Sequence, residues 1–312
     1  MSPSTVDFQW HITHFCTMKC VHCYQEEFSP SADLMLHELS EITQKITYFA
    51  KSTNRKMRIT LTGGEPLLST EFYPLLSILN KKEVVQEISI ISNGVFLATD
   101  WLEKLSPINK LTTIKISLDG TTPEINDPIR KDGAYEKVVN NLKMLKSYKS
   151  RFSVILMYTL LKRNKDDIGN IVAFCKKHSL DGAILERFIP LGGGKKICDE
   201  VLSRKEWNEA LKILIGSCGL LPRKKEFESF RAFWISLKNN EITIQGAPCM
   251  IQESSYCIMP DGTVYPCRRL PISLGNLLEA SGESIFSRSD EKTREIPEKQ
   301  GCKALGWALD NN

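Results

Sequence analysis

The chain has 312 residues, 42% of them hydrophobic, and its 41 basic and 37 acidic side chains leave a net charge of +4. A chain of this kind can form one large domain and a smaller appendage. The sequence has no dense basic block, no N-terminal signal pattern and no run of about twenty apolar residues, which argues against nucleic-acid binding, secretion and membrane insertion. We therefore expect a cytoplasmic protein with no nucleic-acid or membrane partner, whose ten cysteines are metal ligands or reactive thiols rather than disulfides.

Short apolar runs alternate with amphipathic segments in the first part of the chain, a pattern typical of β–α units with a parallel sheet. The predicted strands are Phe8–His14, Met57–Leu61, Ile88–Ile91, Thr113–Leu118, Ser153–Leu160 and Ala183–Ile189. The predicted helices are Leu34–Ala50, Phe72–Leu79, Tyr135–Leu145 and Asp166–His178. In such a sheet the loops at the carboxyl ends of the strands meet on one face, where we expect the chemistry.

The rest of the chain changes in composition. A glycine-rich segment from Pro190 to Lys195 precedes an amphipathic stretch from Arg204 to Leu237 that predicts a helix, and short segments with Cys, Gly and Pro follow Gln245. We predict a core at 1–195, a helical bridge at 196–245 and a small domain at 246–312 that is organised more by metal ligation than by a hydrophobic core.

Three cysteines, Cys16, Cys20 and Cys23, follow the first predicted strand directly. Thiolates are typical ligands of iron–sulfur clusters and of zinc. A four-iron cluster with only three protein ligands keeps one iron open for an exogenous ligand. The spacing alone also permits a zinc site with His14 or His22 as the fourth ligand.

Further polar elements stand at the ends of the following strands. They are Gly63-Gly64-Glu65-Pro66, Ser92-Asn93-Gly94, Ser117-Leu118-Asp119-Gly120 and, shortly afterwards, Arg130. Glycines allow a backbone to approach a ligand, a carboxylate can accept hydrogen bonds from an ammonium group, and a guanidinium can bind a carboxylate through two hydrogen bonds. Taken singly, Asn-Gly and Asp-Gly are also ordinary turn signals.

The order of these elements resembles the radical S-adenosylmethionine (SAM) superfamily over essentially the whole chain. The resemblance implies an α/β fold with a partial (β/α)6 TIM barrel as its core. It also implies a [4Fe–4S] cluster on Cys16, Cys20 and Cys23, whose open iron binds SAM and which reductively cleaves SAM to a 5′-deoxyadenosyl radical.

The same resemblance implies roles for the strand-end residues. His22 would contact the adenine, and Gly63, Gly64 and Glu65 would hold the amino group of SAM. Ser92, Asn93 and Ser117 would reach the ribose or the carboxylate, Arg130 would pair with the carboxylate, and Asp119 would face the substrate as a catalytic candidate. Thr159 and Ile189 are further pocket candidates, the latter against adenine. Glu186 and Arg187 are either pocket residues or a buried ion pair that braces the barrel.

Four cysteines in the C-terminal part, Cys249, Cys257, Cys267 and Cys302, resemble the SPASM domain, an auxiliary-cluster module of radical SAM enzymes. Asp261-Gly262 predicts a hairpin turn between Ser255–Met259 and Thr263–Tyr265. Because Glu298 stands where the family has a further cysteine, the resemblance implies a truncated, twitch-type domain. We expect one auxiliary [4Fe–4S] cluster on the four cysteines, and a zinc ribbon on the same residues is the alternative.

The other cysteines receive separate interpretations. Cys175 lies in an apolar helical segment and is expected in the core. Cys198 and Cys218 lie in or beside the bridge and are candidate hydrogen-atom donors to a substrate radical, or else simply packed or exposed thiols.

These features lead to a functional hypothesis. We expect an enzyme that abstracts hydrogen from a ribosomally made peptide or protein, giving a thioether, C–C or C–O cross-link or an oxidised residue, with a flavodoxin or ferredoxin as electron donor. The alternatives are a radical SAM enzyme of cofactor or small-molecule biosynthesis, a small-alcohol dehydrogenase and a non-catalytic metal-binding protein.

Overall fold

The computed structural model describes residues 4–148, 150–220, 230–238, 241–251 and 254–311. The strands are β1 Thr5–His11, β2 Lys56–Thr62, β3 Val85–Ser92, β4 Leu111–Ser117, β5 Ser153–Leu160, β6 Gly182–Arg187, β7 Ala232–Ser236, β8 Thr243–Ala247, β9 Ser255–Ile258, β10 Thr263–Tyr265 and β11 Gly275–Asn276. The α-helices are α1 Leu36–Ser52, α2 Phe72–Asn80, α3 Thr99–Leu105, α4 Pro123–Asn126, α5 Ala134–Leu145, α6 Ile171–Lys177, α7 Arg204–Ser217, α8 Gly282–Phe286, α9 Ser289–Thr293 and α10 Lys303–Asp310.

The first six strands form the core of the sheet. β1 to β6 are neighbours in chain order, and each pairs with the next in parallel. Helices connect these strands, as right-handed β–α–β crossovers require. The structure therefore confirms the α/β fold with a partial (β/α)6 barrel.

The two edges of this parallel sheet are extended by antiparallel strands. β7 pairs with β6, and β8 with β7, both antiparallel. On the other edge β9 pairs in parallel with β1, opposing Cys257 to Gln9, and β10 folds back antiparallel on β9. The C-terminal hairpin is therefore part of the same sheet as the barrel.

Alternation along β1 shows how the sheet separates its two faces. Val6, Phe8 and Trp10 are fully buried in the main core, which lies between the strands and the surrounding helices. Because successive side chains of a strand point to opposite faces, Gln9 and His11 lie on the other, inner face. On β1 the inner face thus carries polar side chains.

Several predicted boundaries differ from the structure. β1 ends at His11 rather than His14, and the helix predicted for Asp166–His178 is a 3₁₀ segment, Lys162–Asn170, followed by α6. The helix predicted from Arg204 ends at Ser217 before Gly219, whose φ is +70°. The C-terminal part of the stretch predicted as helical forms strand β7 instead, and residues 221–229 of that stretch lie outside the described residues. The bridge is therefore not wholly helical, because the alternating segment from Ala232 completes a sheet edge.

The predicted C-terminal hairpin is confirmed by β9 and β10, with Gly262 at a φ of +84° in the turn between them. Cys175 lies fully buried in the core, as expected. None of the described helices is both long and apolar enough to cross a membrane.

Candidate active site

The loop that carries Cys16, Cys20 and Cys23 follows β1 and is held against the end of β2. The backbone N–H of Gly64 donates to the carbonyl of Thr13, and that of Glu65 to the carbonyl of Phe15, each at 2.8 Å. These two bonds continue the β1–β2 pairing into the cysteine loop.

The glycines are required here for packing against the loop. A Cβ atom on Gly64 would lie 2.2 Å from the carbonyl oxygen of Phe15, and one on Gly63 would lie 2.4 Å from that of Thr13. Gly63 also has a φ of +135°, which side chains of L-residues rarely permit. The backbone of these glycines therefore comes close to another group, as predicted, but in the structure that group is the cysteine loop itself.

A second glycine segment holds the other end of the same loop. Gly193 N–H donates to the carbonyl of Gln25 at 3.2 Å, and Gly194 N–H to the carbonyl of Cys23 at 2.9 Å. From the sequence, this segment was noted as a change in composition and as three glycines that follow a stretch resembling the family's final strand. Its contact with the cysteine loop was not predicted.

The three thiols of the loop lie in a protected environment. Burial raises the pKa of Cys20 to about 12 and that of Cys23 to about 11, and it also raises the pKa of Cys16. Cluster ligation requires thiolates, so binding of cationic iron has to supply the charge that keeps them deprotonated.

Glu65 is placed differently from its implied role. Its side chain is fully buried, and its Oε1 accepts from Ser92 Oγ at 2.9 Å while Oε2 accepts from the Asn93 N–H at 2.8 Å. Burial raises its pKa to about 7, against the opposing effect of these hydrogen bonds. The carboxylate thus ties β2 to β3, and it does not line the cleft described below.

Asp119 also differs from its expected position towards the substrate. It is fully buried, with Oδ2 at 2.6 Å from His22 Nε2 and 2.7 Å from Arg130 Nε, and its Oδ1 accepts from the Thr159 N–H at 2.7 Å. Burial acts to raise its pKa, but Arg130 and His22 outweigh that effect and lower it to about 2. Asp119 is therefore an ionised group that orients His22 and Arg130.

These elements surround one cleft at the carboxyl ends of the strands, whose empty space, including the part open to solvent, is about 970 Å³. The predicted residues that line it are Cys16, Cys20, Cys23, His22, Gly63, Gly64, Ser92, Asn93, Ser117, Arg130, Thr159 and Ile189. Most of the residues predicted for the SAM pocket are thus brought together by the fold.

The lining fits a polar ligand such as SAM. Asn93 is 7% exposed, and within the described part of the chain its buried Nδ2 atom donates no hydrogen bond of normal geometry. Buried amide groups are rarely left without a partner. Ser117 and Thr159 add hydroxyl groups to the same wall, and Ile189 adds an apolar surface.

The C-terminal cysteines lie near one another, and Cys267 directly precedes the two arginines, Arg268 and Arg269, that line the cleft. Cys257 on β9 and Cys302 at the start of α10 are buried, and each has its pKa raised by burial and further by Cys267. Cys249 also raises the pKa of Cys302 and packs in the same small apolar cluster. Four thiols from distant parts of the sequence are thereby gathered in one region, whereas Glu298 is exposed.

Among the described residues, no three His, Cys, Asp or Glu side chains are arranged to hold a single metal ion.

The two bridge cysteines do not reach the cleft in the described structure. Cys218 is 8% exposed and packs in the main core at the end of α7, because the apolar face of that helix turns towards β7. Cys198 is exposed on a 3₁₀ segment. Neither is among the described residues that line the cleft, so their predicted role as hydrogen-atom donors receives no support from their positions.

Two arginines that follow Cys267 were not predicted as site residues. Arg268 and Arg269 line the cleft, and both form ion pairs with Glu186 Oε2. Burial acts to raise the pKa of Glu186, but the surrounding cations outweigh it and lower the pKa to about 2. Glu186 and Arg187 thus both line the cleft, as one of their two predicted interpretations has it, but Glu186 pairs with these arginines while Arg187 bonds to Gln300. The Arg-Arg dipeptide directly after a predicted ligand was the available signal.

Comparisons with known proteins agree with this geometry. Residues 10–175 match the model of the radical SAM superfamily, and residues 249–304 match the SPASM domain, described as an iron–sulfur cluster-binding domain. These two domains imply a [4Fe–4S] cluster with SAM and an auxiliary iron–sulfur cluster.

Curated relatives have several activities. A GTP 3′,8-cyclase of Clostridium perfringens strain SM101 is 30% identical over 92% of this chain and 87% of its own length. A GTP 3′,8-cyclase of Limosilactobacillus fermentum is 28% identical over 64% of this chain, which spans only about half of that relative, 56%. The mycofactocin maturase MftC of Mycolicibacterium smegmatis is 25% identical over 95% of this chain and 73% of its own length.

Solved structures share the fold. The enzyme anSMEcpe with bound AdoMet superposes with a TM-score of 0.71 at 21% identity, covering 92% of this chain and 82% of that one. SuiB of Streptococcus suis bound to its precursor peptide SuiA gives a TM-score of 0.68 at 15% identity, covering 97% and 70%. From the matched domains and the assembled cleft we conclude that the chain belongs to the radical SAM superfamily and carries a C-terminal SPASM domain.

Proposed function

We propose that this protein modifies a peptide or protein substrate by abstracting a hydrogen atom from it. When bound, the first cluster and SAM supply a 5′-deoxyadenosyl radical. The observation that carries the proposal is that one cleft is lined both by the first cysteine loop and by Arg268 and Arg269, which follow the auxiliary ligand Cys267. A substrate in this cleft lies between the SAM-binding residues and the auxiliary domain.

The residues of the chain prepare this cleft in two ways. Asp119 holds His22 and Arg130 at the rim of the SAM side, and Arg130 Nη1 lies 3.9 Å from Cys20 Sγ. The glycine contacts hold the cysteine loop rigidly, so that SAM and substrate are oriented before reaction. Both effects restrict the direction in which a radical can react.

The peptide substrate is supported by analogy. SuiB is seen with a precursor peptide, and MftC carries the name of a maturase. For this chain these similarities suggest a substrate class, while the substrate itself has to be found by experiment.

A second candidate, cofactor biosynthesis from a nucleotide, is favoured by the 30% identity to a GTP 3′,8-cyclase along most of the chain. The guanidinium groups in the cleft wall would also suit a phosphate.

Anaerobically reconstituted protein, incubated with dithionite and SAM, should release 5′-deoxyadenosine. The same reaction is then run with peptides encoded beside the gene and, in parallel, with GTP. A mass change in a peptide that requires both SAM and reductant supports the proposal, whereas consumption of GTP alone supports the second candidate. A protein with both clusters that forms no 5′-deoxyadenosine contradicts both.

The auxiliary domain is tested with Cys267→Ala. This variant should still form 5′-deoxyadenosine but should lose most of the modified product, together with the iron of one cluster. Unchanged product formation would show that the auxiliary site is not needed.

A further inference from the structure

Arg187, the last residue of β6, carries a buried guanidinium group. It is only 4% exposed, its Nη1 donates to Gln300 Oε1 at 2.6 Å, and its Cζ lies 3.7 Å from the centre of the Trp207 ring. Its Nε and Nη2 atoms are buried and donate no hydrogen bond within the described residues. The contacts fix the guanidinium in place without neutralising it.

The nearby arginines are different. Arg268 and Arg269 share the carboxylate of Glu186. Burial lowers the pKa of Arg187 to about 9, and among the described residues the charged group that opposes this effect is Cys302. A buried charge is costly unless an opposite charge compensates it. Arg187 therefore requires an anion that the protein itself does not provide as a carboxylate.

The position of Arg187 indicates which anion this is. Gln300, which accepts its hydrogen bond, lies two residues before Cys302. Leu305 of α10 lines the same small gap as Arg187 and Trp207. The guanidinium thus lies against the segment that supplies the last of the four C-terminal cysteines.

The local charge balance agrees with this position. Four arginines, Arg187, Arg231, Arg268 and Arg269, contribute four positive charges near the C-terminal cysteines. Glu186, which pairs with the last three, contributes one negative charge, so the excess is three. A four-iron cluster held by four thiolates is an anion, and reduction makes it more negative. The chain therefore places uncompensated positive charge next to the cysteines that would hold the auxiliary cluster.

We propose that Arg187 is a counter-charge of the auxiliary cluster that stabilises its reduced state and thereby raises its reduction potential. Arg187 is in this sense a positioning residue that acts through the cluster and not on the substrate. The inference deepens the proposed function and rests on its auxiliary cluster, but it does not depend on whether the substrate is a peptide or a nucleotide.

The test uses the full-length chain with Cys16, Cys20 and Cys23 replaced by alanine, so that only the auxiliary cluster is assembled. Its midpoint potential is measured by redox titration with electron paramagnetic resonance, with Arg187 intact and with Arg187→Met, Arg187→Gln and Arg187→Lys. In both neutral variants the equilibrium constant for reduction of the cluster should fall by about tenfold, which lowers the midpoint potential by about 59 mV for one electron. The potential of Arg187→Lys should stay close to that of the chain with Arg187 intact, because lysine keeps the positive charge.

Arg58→Met is the matched control, since it also removes one guanidinium but from an exposed pair with Asp7; its potential should remain that of the parent chain. If Arg187→Met does not fold, Arg187→Gln and Arg187→Lys still give the comparison of charge. Equal potentials in the parent and the neutral variants overturn the proposal. An equal shift of the potential in Arg187→Gln and Arg187→Lys also overturns it, because the shift would then come from changed packing and not from the lost charge. Absence of any auxiliary iron in the parent chain would instead defeat the auxiliary-cluster part of the proposed function.

Discussion

The two ends of the cleft differ in how far the protein compensates its own buried charges. On the SAM side, the Glu65 carboxylate is bonded by Ser92 and Asn93, and Asp119 is bonded by His22, Arg130 and Thr159. On the auxiliary side, Glu186 is shared by Arg268 and Arg269, and Arg187 has no carboxylate of its own among the described residues.

This difference indicates where each side obtains its order. Fully bonded groups hold their geometry before a ligand arrives, as preorganised catalytic sites require. An excess of buried charge, in contrast, is stabilised only when the opposite charge is bound. The SAM side is thus built largely by the chain, whereas the auxiliary side is completed by its cluster.

The largest expected effect concerns the first cluster. Cys20→Ala should reduce formation of 5′-deoxyadenosine to background, because the cluster loses one of only three protein ligands. The measurement is chromatography of the nucleoside products after incubation with SAM and dithionite. Cys198→Ala removes an exposed thiol outside the described lining of the cleft and serves as the control. Cleavage at the normal rate by Cys20→Ala would refute the assignment.

The second prediction tests whether the SAM side is held by its glycines. In Gly64→Ala the new methyl group would meet the backbone carbonyl of Phe15 at 2.2 Å. Because backbone cannot move aside cheaply, we expect a loss of stability of about 3 kcal/mol or more and loss of iron from the first site. Chemical denaturation and iron analysis measure both effects.

The matched control is Gly216→Ala in α7, where a Cβ atom would have no neighbour within 4 Å. It should leave stability unchanged or raise it by about 0.5–1 kcal/mol. Equal behaviour of the two variants would mean that the close approach of the cysteine loop is unimportant.

The third prediction concerns the charge excess on the auxiliary side. Glu186→Gln leaves both Arg268 and Arg269 without their shared carboxylate, so we expect destabilisation of about 3–5 kcal/mol. Denaturant unfolding gives this value. The control Glu41→Gln breaks an exposed pair with Lys45 on α1 and should change stability by less than about 0.5 kcal/mol. A similarly small loss of stability in Glu186→Gln would contradict the view that the auxiliary side carries buried positive charge that needs this carboxylate.

The smallest effect is the pH dependence due to Glu65. Burial raises its pKa in the folded protein from 4.5 to about 7, so between these values the folded protein retains a proton that the unfolded chain has released. The free energy of unfolding should therefore decrease as the pH rises through this range and level off above it, by a total on the order of 3 kcal/mol.

Glu65→Gln has no titrating group at this position and should lack this part of the slope. Urea denaturation of both proteins across the same pH range checks it. A parallel pH dependence of the two proteins would contradict the raised pKa.

Much of the fold followed from local patterns. The parallel core was predictable because apolar strand segments alternate with amphipathic helices, and the predicted β5 has the bounds that the structure shows. Boundaries were less certain where a motif follows a strand directly. Residues 12–14 were predicted as part of the first strand, and the backbone of Ile12 and Thr13 still bonds to the end of β2, but the regular pairing ends at His11, where the cysteine loop begins.

The cysteines and the strand-end motifs were likewise predictable, because ligand type and spacing are written in the sequence. The partners of Glu65, Asp119 and Glu186 were not. Each of these carboxylates has at least one partner 27 or more positions away, such as Ser92 for Glu65 and Arg268 for Glu186. Which charged groups meet inside a barrel depends on how the strands pair, and local sequence does not encode that.

For this protein, the sequence alone determined the chemistry of the ligands: seven cysteines in two sets, the glycines and the carboxylate after the second strand. The tertiary structure decided how that chemistry is arranged. Parallel pairing of β9 with β1 opposes Cys257 to Gln9, a residue that lines the cleft, and so brings the second cysteine set close to the first. The tertiary structure also leaves Arg187 buried without a carboxylate partner among the described residues, because long-range packing and not local propensity decides which charges are compensated.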